Sequence, residues 1–321
     1  MKFRTEVDIK DHPQKIFTQD KIFSIGSCFA TEIHELLKAG QLQTLNNPFG
    51  TLFNPLSIKN EIIALEKNKK YTEEDLISYQ DEYISLDHHS SFNNRDLSHT
   101  LNKINSKIEE GNVFLRDCNV VIITYGTSFI YEFLPKQKLV ANCHKIPGKF
   151  FEKRLLTHSE IAQSINETIK SIKSICKFNV QILFSLSPVR HAKDGLVENM
   201  HSKSKLITAL HETIAQHEHC HYLPIYEMMM DDLRDYRFYK DDLLHPNSQA
   251  VTYIFEKFAK AFLSENTLEF LKENTKINLS LQHKPQDSNH PKYIEFTKQI
   301  KQRIATQQAK VNHRIFEDTK F

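Results

Sequence analysis

Apolar and polar positions along the chain alternate between two periods, and the switches between them mark the elements. Residues 21–25 form a short apolar run that stops at Gly26 and passes into a helical pattern over 28–39, which Gly40 ends. Residues 119–125 read Asn-Val-Val-Ile-Ile-Thr-Tyr, the clearest strand in the chain, halted by Gly126. Residues 180–186 are a second such strand, stopped by Ser187-Pro188, and 221–225 a shorter one. Between them lie amphipathic stretches at 56–69, 98–110, 157–177 and 199–217, and a last core helix over 247–264 follows Pro246. Strands separated by helices predict an α/β fold: a three-layer α/β/α sandwich around a mostly parallel, flavodoxin-like sheet. In such sheets functional loops gather at the carboxyl ends of the strands, so the loops after residues 25, 125 and 186 are expected to share one edge.

Two segments depart from this pattern. Residues 71–96 are irregular and read as an insertion near the sheet edge. Beyond residue 265 the chain turns polar: 266–288 is poorly patterned, and 289–312 is a Lys/Gln-rich helical stretch with few apolar anchors. The expected organisation is a domain over 1–265 and a helical C-terminal extension over 266–321, packed on the core or on a partner.

Composition narrows the function classes. A net charge of +2 in 321 residues gives no basic footprint for nucleic acid or an anionic membrane. No apolar run approaches a membrane span, and the first twenty residues lack the apolar block of a signal peptide. The five cysteines are scattered without a Cys-x-x-Cys pair, which suits free thiols in a reducing cytoplasm and points to no metal site. Only seven glycines occur, which makes Gly26, Gly50 and Gly126, each in or beside an apolar run, informative.

The chemistry-bearing residues concentrate at two places. Ser27 and Cys28 stand where the first strand turns into the first helix, and Asp242-Leu243-Leu244-His245 stands before the last core helix. An Asp-x-x-His spacing lets the carboxylate hold one imidazole nitrogen while the other faces a nucleophile. Ser27 sits at an N-cap position, and Cys28 in the first turn, where amides and the helix dipole lower a thiol pKa. Both remain candidates for the nucleophile. Ser187-Pro188-Val189-Arg190-His191 follows a buried strand, and Arg190 there suits an anionic part of a substrate or an internal carboxylate. His217-Glu218-His219-Cys220-His221 lies at a predicted helix end, where histidine suits the dipole, so it reads as a helix end rather than a metal site. His34 beside Glu35 looks reactive without a partner motif, His191 reads as structural, and Met228-Met229-Met230 as core packing.

The string Gly26-Ser27-Cys28-Phe29-Ala30 is the one after which the GSCFA family is named. The chain resembles that family over roughly residues 1–265, including Asn54-Pro55, Tyr125-Gly126-Thr127, Asn142-Cys143-His144-Lys145, Ser187 to His191 and Asp231 to Pro246. The resemblance implies the SGNH/GDSL hydrolase fold and its template: a nucleophile after the first strand, oxyanion donors from two further loops, and a late Asp-x-x-His. In the GDSL register the nucleophile falls on Cys28, with Ser27 at the aspartate position. Gly50 matches the second-block glycine. The third block normally reads Gly-x-Asn-Asp, whereas this chain has Gly126-Thr127-Ser128-Phe129, so its asparagine is missing. A Thr127 or Ser128 hydroxyl, or Asn142 or His144 from another loop, is the expected substitute. By family analogy the expectation is an acyl-ester hydrolase or acyltransferase working through a covalent acyl-enzyme on an acylated carbohydrate or related small molecule, without a cofactor. The alternative is a non-catalytic ligand-binding or scaffold protein on the same fold. The oligomeric state is not legible.

Overall fold

The structure, a computed structural model, describes residues 4–282, 290–317 and 319. The part of the polar tail at 283–289 lies outside the described residues. The first half of the chain forms β1 (Lys21–Gly26), α1 (Cys28–Ala39), β2 (Gln43–Asn46), α2 (Pro55–Glu66), β3 (Ile77–Tyr79), β4 (Glu82–Ile84) and α3 (Leu97–Arg116). Next come β5 (Val120–Tyr125), β6 (Phe129–Phe133), β7 (Lys138–Val140), β8 (Phe151–Leu155), α4 (His158–Ile175) and β9 (Gln181–Leu186). The rest comprises α5 (Leu196–Ile214), β10 (Cys220–Leu223), α6 (Ile225–Glu227), α7 (Ser248–Phe262), α8 (Glu265–Leu281) and α9 (Pro291–Gln308). A π-helical turn, Met228–Asp232, continues α6.

The central sheet is wholly parallel, with strand order β2-β1-β5-β9-β10. That order reverses direction between β1 and β5, and this switch point is where an open α/β sheet leaves a crevice at its carboxyl edge. Side-chain alternation explains the three layers. Phe23, Ile25, Val121, Ile123, Tyr125, Ile182 and Phe184 project into the core beneath α2, α3, α4 and α5. Their neighbours Ile22, Val120, Ile122 and Leu183 project into a second core with α1 and α7.

Local chemistry sets the helix starts. Asn54 accepts from the Ser57 amide at 2.9 Å with Pro55 opening α2, and Thr157 with Glu160 forms a capping box on α4. The expected strands 119–125 and 180–186 correspond to β5 and β9 to within a residue. Helix α3 runs six residues past the expected end at 110, because Gly111 lies inside it, packed beneath Leu65 where a Cβ would come within 2.7 Å of that side chain.

Three features were not expected. The edge strand β2, with four half-buried residues, carries no alternation to reveal it. Residues 129–155 fold into an antiparallel sheet of order β7-β6-β8, which joins the β3–β4 hairpin of the 71–96 insertion in a small third core around Ile84, Phe133 and Val140. The stretch at 266–281, read as poorly patterned, is part of helix α8. Its Phe270 and Leu271 enter the second core, and Asn274 donates to the Gly40 carbonyl at 3.0 Å, closing the C-terminus of α1. Its polar residues are buried because they satisfy the end of another helix, a pattern invisible to periodicity. Helix α9 lies against α8 through the Arg303–Glu273 pair at 2.7 Å.

Candidate active site

The turn after β1 is built around Gly26, whose φ is +131° and whose missing side chain makes room for the Thr124 carbonyl. Its amide donates to Asn47 Oδ1 at 2.7 Å, and the Ser27 amide donates to Thr124 O at 3.0 Å. Both ends of this turn are thus fixed to the neighbouring strands before α1 begins.

Ser27 occupies the N-cap position, but its hydroxyl makes no capping bond; Oγ is buried and unpartnered, with the residue 1% exposed. Cys28 opens α1 and is only half-buried. Its thiol pKa is raised, contrary to the expectation of a lowered one. Burial is the largest cause and outweighs the amides of Cys28 and Phe29, which favour the charged form; Glu32 raises it further and Lys240 opposes that.

Asp242 and His245 meet in a tight loop. His245 Nδ1 lies 2.6 Å from Asp242 Oδ2, while Asp242 Oδ1 accepts from the amides of Leu244 and His245, both at 2.9 Å. Those two backbone bonds, then the imidazole, hold the Asp242 carboxyl at about 2. The loop is closed at its base by the Lys240 amide on His245 O at 2.7 Å, and Leu243 takes a left-handed φ of +58° at its tip. Lys240 Nζ reaches Glu32 of α1 at 3.0 Å, which tethers the loop to the helix that Cys28 opens.

The remaining expected residues divide. Gly126 lies at the crevice: its amide donates to Phe53 O at 2.7 Å, and a Cβ there would sit 3.4 Å from His191 Nε2. Thr127 Oγ1 and Ser128 Oγ are instead engaged with Ser202 of α5, at 2.9 and 3.1 Å, and the Gly50 amide closes a turn on Asn47 O at 2.7 Å. Asn142 and His144 follow β7 and pack on the 71–96 insertion, with His144 Nε2 on Ser85 O at 2.7 Å and Asn142 Oδ1 accepting the His144 amide at 2.9 Å. The donors of Gly50, Thr127, Ser128 and His144 thus already have partners, and Asn142 is engaged through its oxygen. Arg190 bonds Met230 Sδ at 3.0 Å and has no carboxylate partner among the described residues. It lines a cavity of about 410 Å³ together with Tyr236, Tyr239, Leu243 and Leu244, directly beside the Asp242–His245 loop. The histidines at 217 and 221 are accounted for elsewhere: His217 bonds Asn166 Oδ1 at 2.6 Å, and His221 packs edge-on against His12. His34 is buried, which lowers its pKa. Met228 and Met229 are buried in the second core.

A family model described as GSCFA family matches residues 21–258, from β1 into α7. The chain belongs to the GSCFA family. Comparison with curated proteins finds no match. Among solved structures, this GSCFA protein is similar to a Clostridium thermocellum family 3 carbohydrate esterase, with TM-score 0.35 and 11% identity over 79% of this chain and 98% of that one. It is also similar to a DUF4886 family protein from Bacteroides uniformis ATCC 8492, with TM-score 0.38 and 12% identity over 94% and 100% of the two chains. A carbohydrate esterase family 3 structure from Talaromyces cellulolyticus gives TM-score 0.37 and 8% identity, over 79% and 99%.

Lys203 and Asn199, outside every motif read from the sequence, lie beside this candidate site with His191. Lys203 of α5 is fully buried, its Nζ donating to the Ser187 carbonyl at 2.6 Å at the end of β9. Burial lowers its pKa to about 7; the charge of Cys28 works against that shift and Arg190 reinforces it. His191 is held at about 4, first by burial and then by Lys203, with His245 acting in the same direction. Asn199, one turn before Lys203, accepts the His191 amide at 3.0 Å while its own Nδ2 is buried and unpartnered. The signal lay in α5: its inner face runs Asn199, Ser202, Lys203, Leu206, Ala209, Leu210, an apolar stripe whose first turn is polar.

Lys203 gives a stability prediction with a definite sign. Below pH 7 the amine is charged in both states, and the folded state bears the full burial penalty. Between the folded value of about 7 and the ordinary 10.5 the unfolded chain holds more protons, so stability rises with pH across that window. Lys203→Met is expected to stabilise the protein at neutral pH by about 1–3 kcal/mol, the loss of the Ser187 bond offsetting part of the gain. Urea unfolding at about pH 7 and about pH 9 checks it; an unchanged pH slope in the variant contradicts a titrating buried amine.

Proposed function

We propose that this GSCFA protein is an acyl-ester hydrolase or acyltransferase that works through a covalent acyl-enzyme. The observation that carries the reading is the Asp242–His245 pair at 2.6 Å, on a loop tethered to the helix that Cys28 opens. Cys28 is the favoured nucleophile over Ser27, because the residue is only half-buried whereas the Ser27 hydroxyl is enclosed. With the thiol pKa raised, attack requires a base. His245 accepts the thiol proton as sulfur adds to the ester carbonyl, and Asp242 fixes the imidazole and stabilises its charge. Collapse of the tetrahedral intermediate expels the alkoxide, protonated by His245, and leaves a thioester on Cys28. Water or another acceptor, deprotonated by His245, then releases the acyl group.

The amides of Cys28 and Phe29 at the start of α1 supply oxyanion donors. Asn199, whose amide lacks a partner, is the candidate for the side-chain donor absent from the third block. The cavity beside the loop suits an acylated carbohydrate or related small molecule: Tyr236 and Tyr239 offer ring faces, and Arg190, bonded only to Met230 Sδ among the described residues, a guanidinium for an anionic group. A second reading, a ligand-binding protein on a hydrolase scaffold, is favoured by the engagement of Gly50, Thr127 and Ser128 in structural bonds.

Incubation with short p-nitrophenyl esters and a thiol/serine-reactive probe, followed by intact-mass analysis, separates the two. An adduct on wild type that is lost in Cys28→Ala and retained in Ser27→Ala is the expected result; the reverse assigns Ser27. Absence of both adduct and turnover across an ester panel supports the binding protein.

A further inference from the structure

A cavity of about 430 Å³ opens between α2 and the inserted segments, and none of the residues assigned above to acyl transfer lines it. Its wall includes Glu61, only 1% exposed, with neither carboxyl oxygen hydrogen-bonded. Burial is the larger effect and raises the Glu61 pKa well above the usual carboxylate range; the Phe49 amide acts in the other direction. Burial therefore favours the neutral carboxyl over the carboxylate at Glu61. An unpaired carboxyl inside a helix face is a standing cost to the fold, and a leucine, with similar helix propensity, would avoid it. The residue makes physical sense if something enters the cavity to pair with it.

The other polar groups describe that ligand. Lys67, Lys69 and Lys138 line the same cavity, which Asp87 also lines. Lys138 pairs with Asp87 at 2.8 Å, and Lys69 pairs with Asp75 at 2.9 Å while lying over the Tyr71 ring at 3.9 Å. Lys67 has no carboxylate partner among the described residues. The surplus is cationic. A protonated carboxyl offers one donor and free acceptor lone pairs, the same pairing a hydroxyl offers in return. We propose that this cavity binds a small hydroxylated anion, its hydroxyl on Glu61 and its carboxylate or phosphate among Lys67, Lys69 and Lys138. The volume lies in the range of small-molecule sites.

Calorimetric titration of the full chain with glycerol 3-phosphate, glycerate, glycerol and inorganic phosphate tests this. One or both hydroxylated anions are expected to saturate a single site, with glycerol and inorganic phosphate about tenfold weaker or worse. Glycerol 3-phosphate alone assigns a phosphate ligand, and glycerate alone a carboxylate. Glu61→Leu is expected to raise the thermal midpoint of the ligand-free protein and to weaken binding by about tenfold or more. Glu61→Gln, which keeps a donor and an acceptor, stays within about threefold. If Glu61→Leu fails to fold, Lys67→Ala, an exposed position, carries the test with an expected loss of about tenfold. No saturable binding of either anion at millimolar concentration, or unchanged affinity in Glu61→Leu or Lys67→Ala, overturns the proposal.

Discussion

A His245→Ala variant is expected to fold normally and to form acyl-enzyme about 10²–10⁴ times more slowly than the wild-type chain. The fold should tolerate the change, because the His245 side chain is 40% exposed and the backbone bonds that close its loop do not depend on it. The rate should not. The Cys28 thiol is raised by burial, so at neutral pH the reactive thiolate is scarce and attack depends on transfer of the proton to His245. Asp242→Asn is expected to approach the same loss by a different route. The asparagine oxygen can still accept the Leu244 and His245 amides, but its NH₂ then faces His245 Nδ1 and selects the wrong tautomer. Acid should act on the wild type only at extreme pH through this carboxyl, since its pKa is held at about 2, first by the backbone amides. Single-turnover acylation followed by intact mass reads all three. A His245→Ala variant that acylates at the wild-type rate sinks the assignment of His245 as the base.

Gly26→Ala is expected to cost about 3 kcal/mol or more and to leave the nucleophile turn misbuilt. A Cβ at residue 26 would sit 2.1 Å from the Thr124 carbonyl oxygen, on a backbone with φ +131° that L-residues rarely adopt. The obstacle is backbone of β5, which is paired on both sides and cannot step away. The Thr124 oxygen also accepts the Ser27 amide, so displacement would disturb the residue that leads into Cys28. Gly148→Ala is the control: nothing lies within 4 Å of its added Cβ, and its effect is expected within about 0.5 kcal/mol. Denaturant midpoints of the two variants check the contrast, and equal midpoints would remove the steric account of the turn.

The legible part of the fold was the part whose burial is two-sided. Strands β5 and β9 are buried at every position, so their apolar runs announce them, and Gly126 and Ser187-Pro188 mark where they stop. Strand β2 and the antiparallel sheet of 129–155 are half-exposed and short, so the same period yields no contrast. Helix α8 escaped because its buried Asn274 satisfies a carbonyl of α1 that lies 234 positions away.

Within the candidate site, proximity in sequence decided what was readable. Asp242 and His245 lie three residues apart, and their pairing follows from local geometry; Ser27 and Cys28 follow from a strand-to-helix turn. The thiol's electrostatics did not follow, because the lowering effect of a helix N-terminus is a local term and burial is a tertiary one. Burial won. The same reason hid Lys203: a lysine in a helix reads as solvent-facing, and only the packing of α5 against the end of β9 removes it from water. The fully buried strands, the helices between them, the glycine at the turn and the Asp-x-x-His pair could be read from the chain alone, because those are set by neighbours along it. Which polar groups lost their solvent and which donors were already engaged was set by packing, because desolvation and hydrogen-bond partners come from segments distant in sequence.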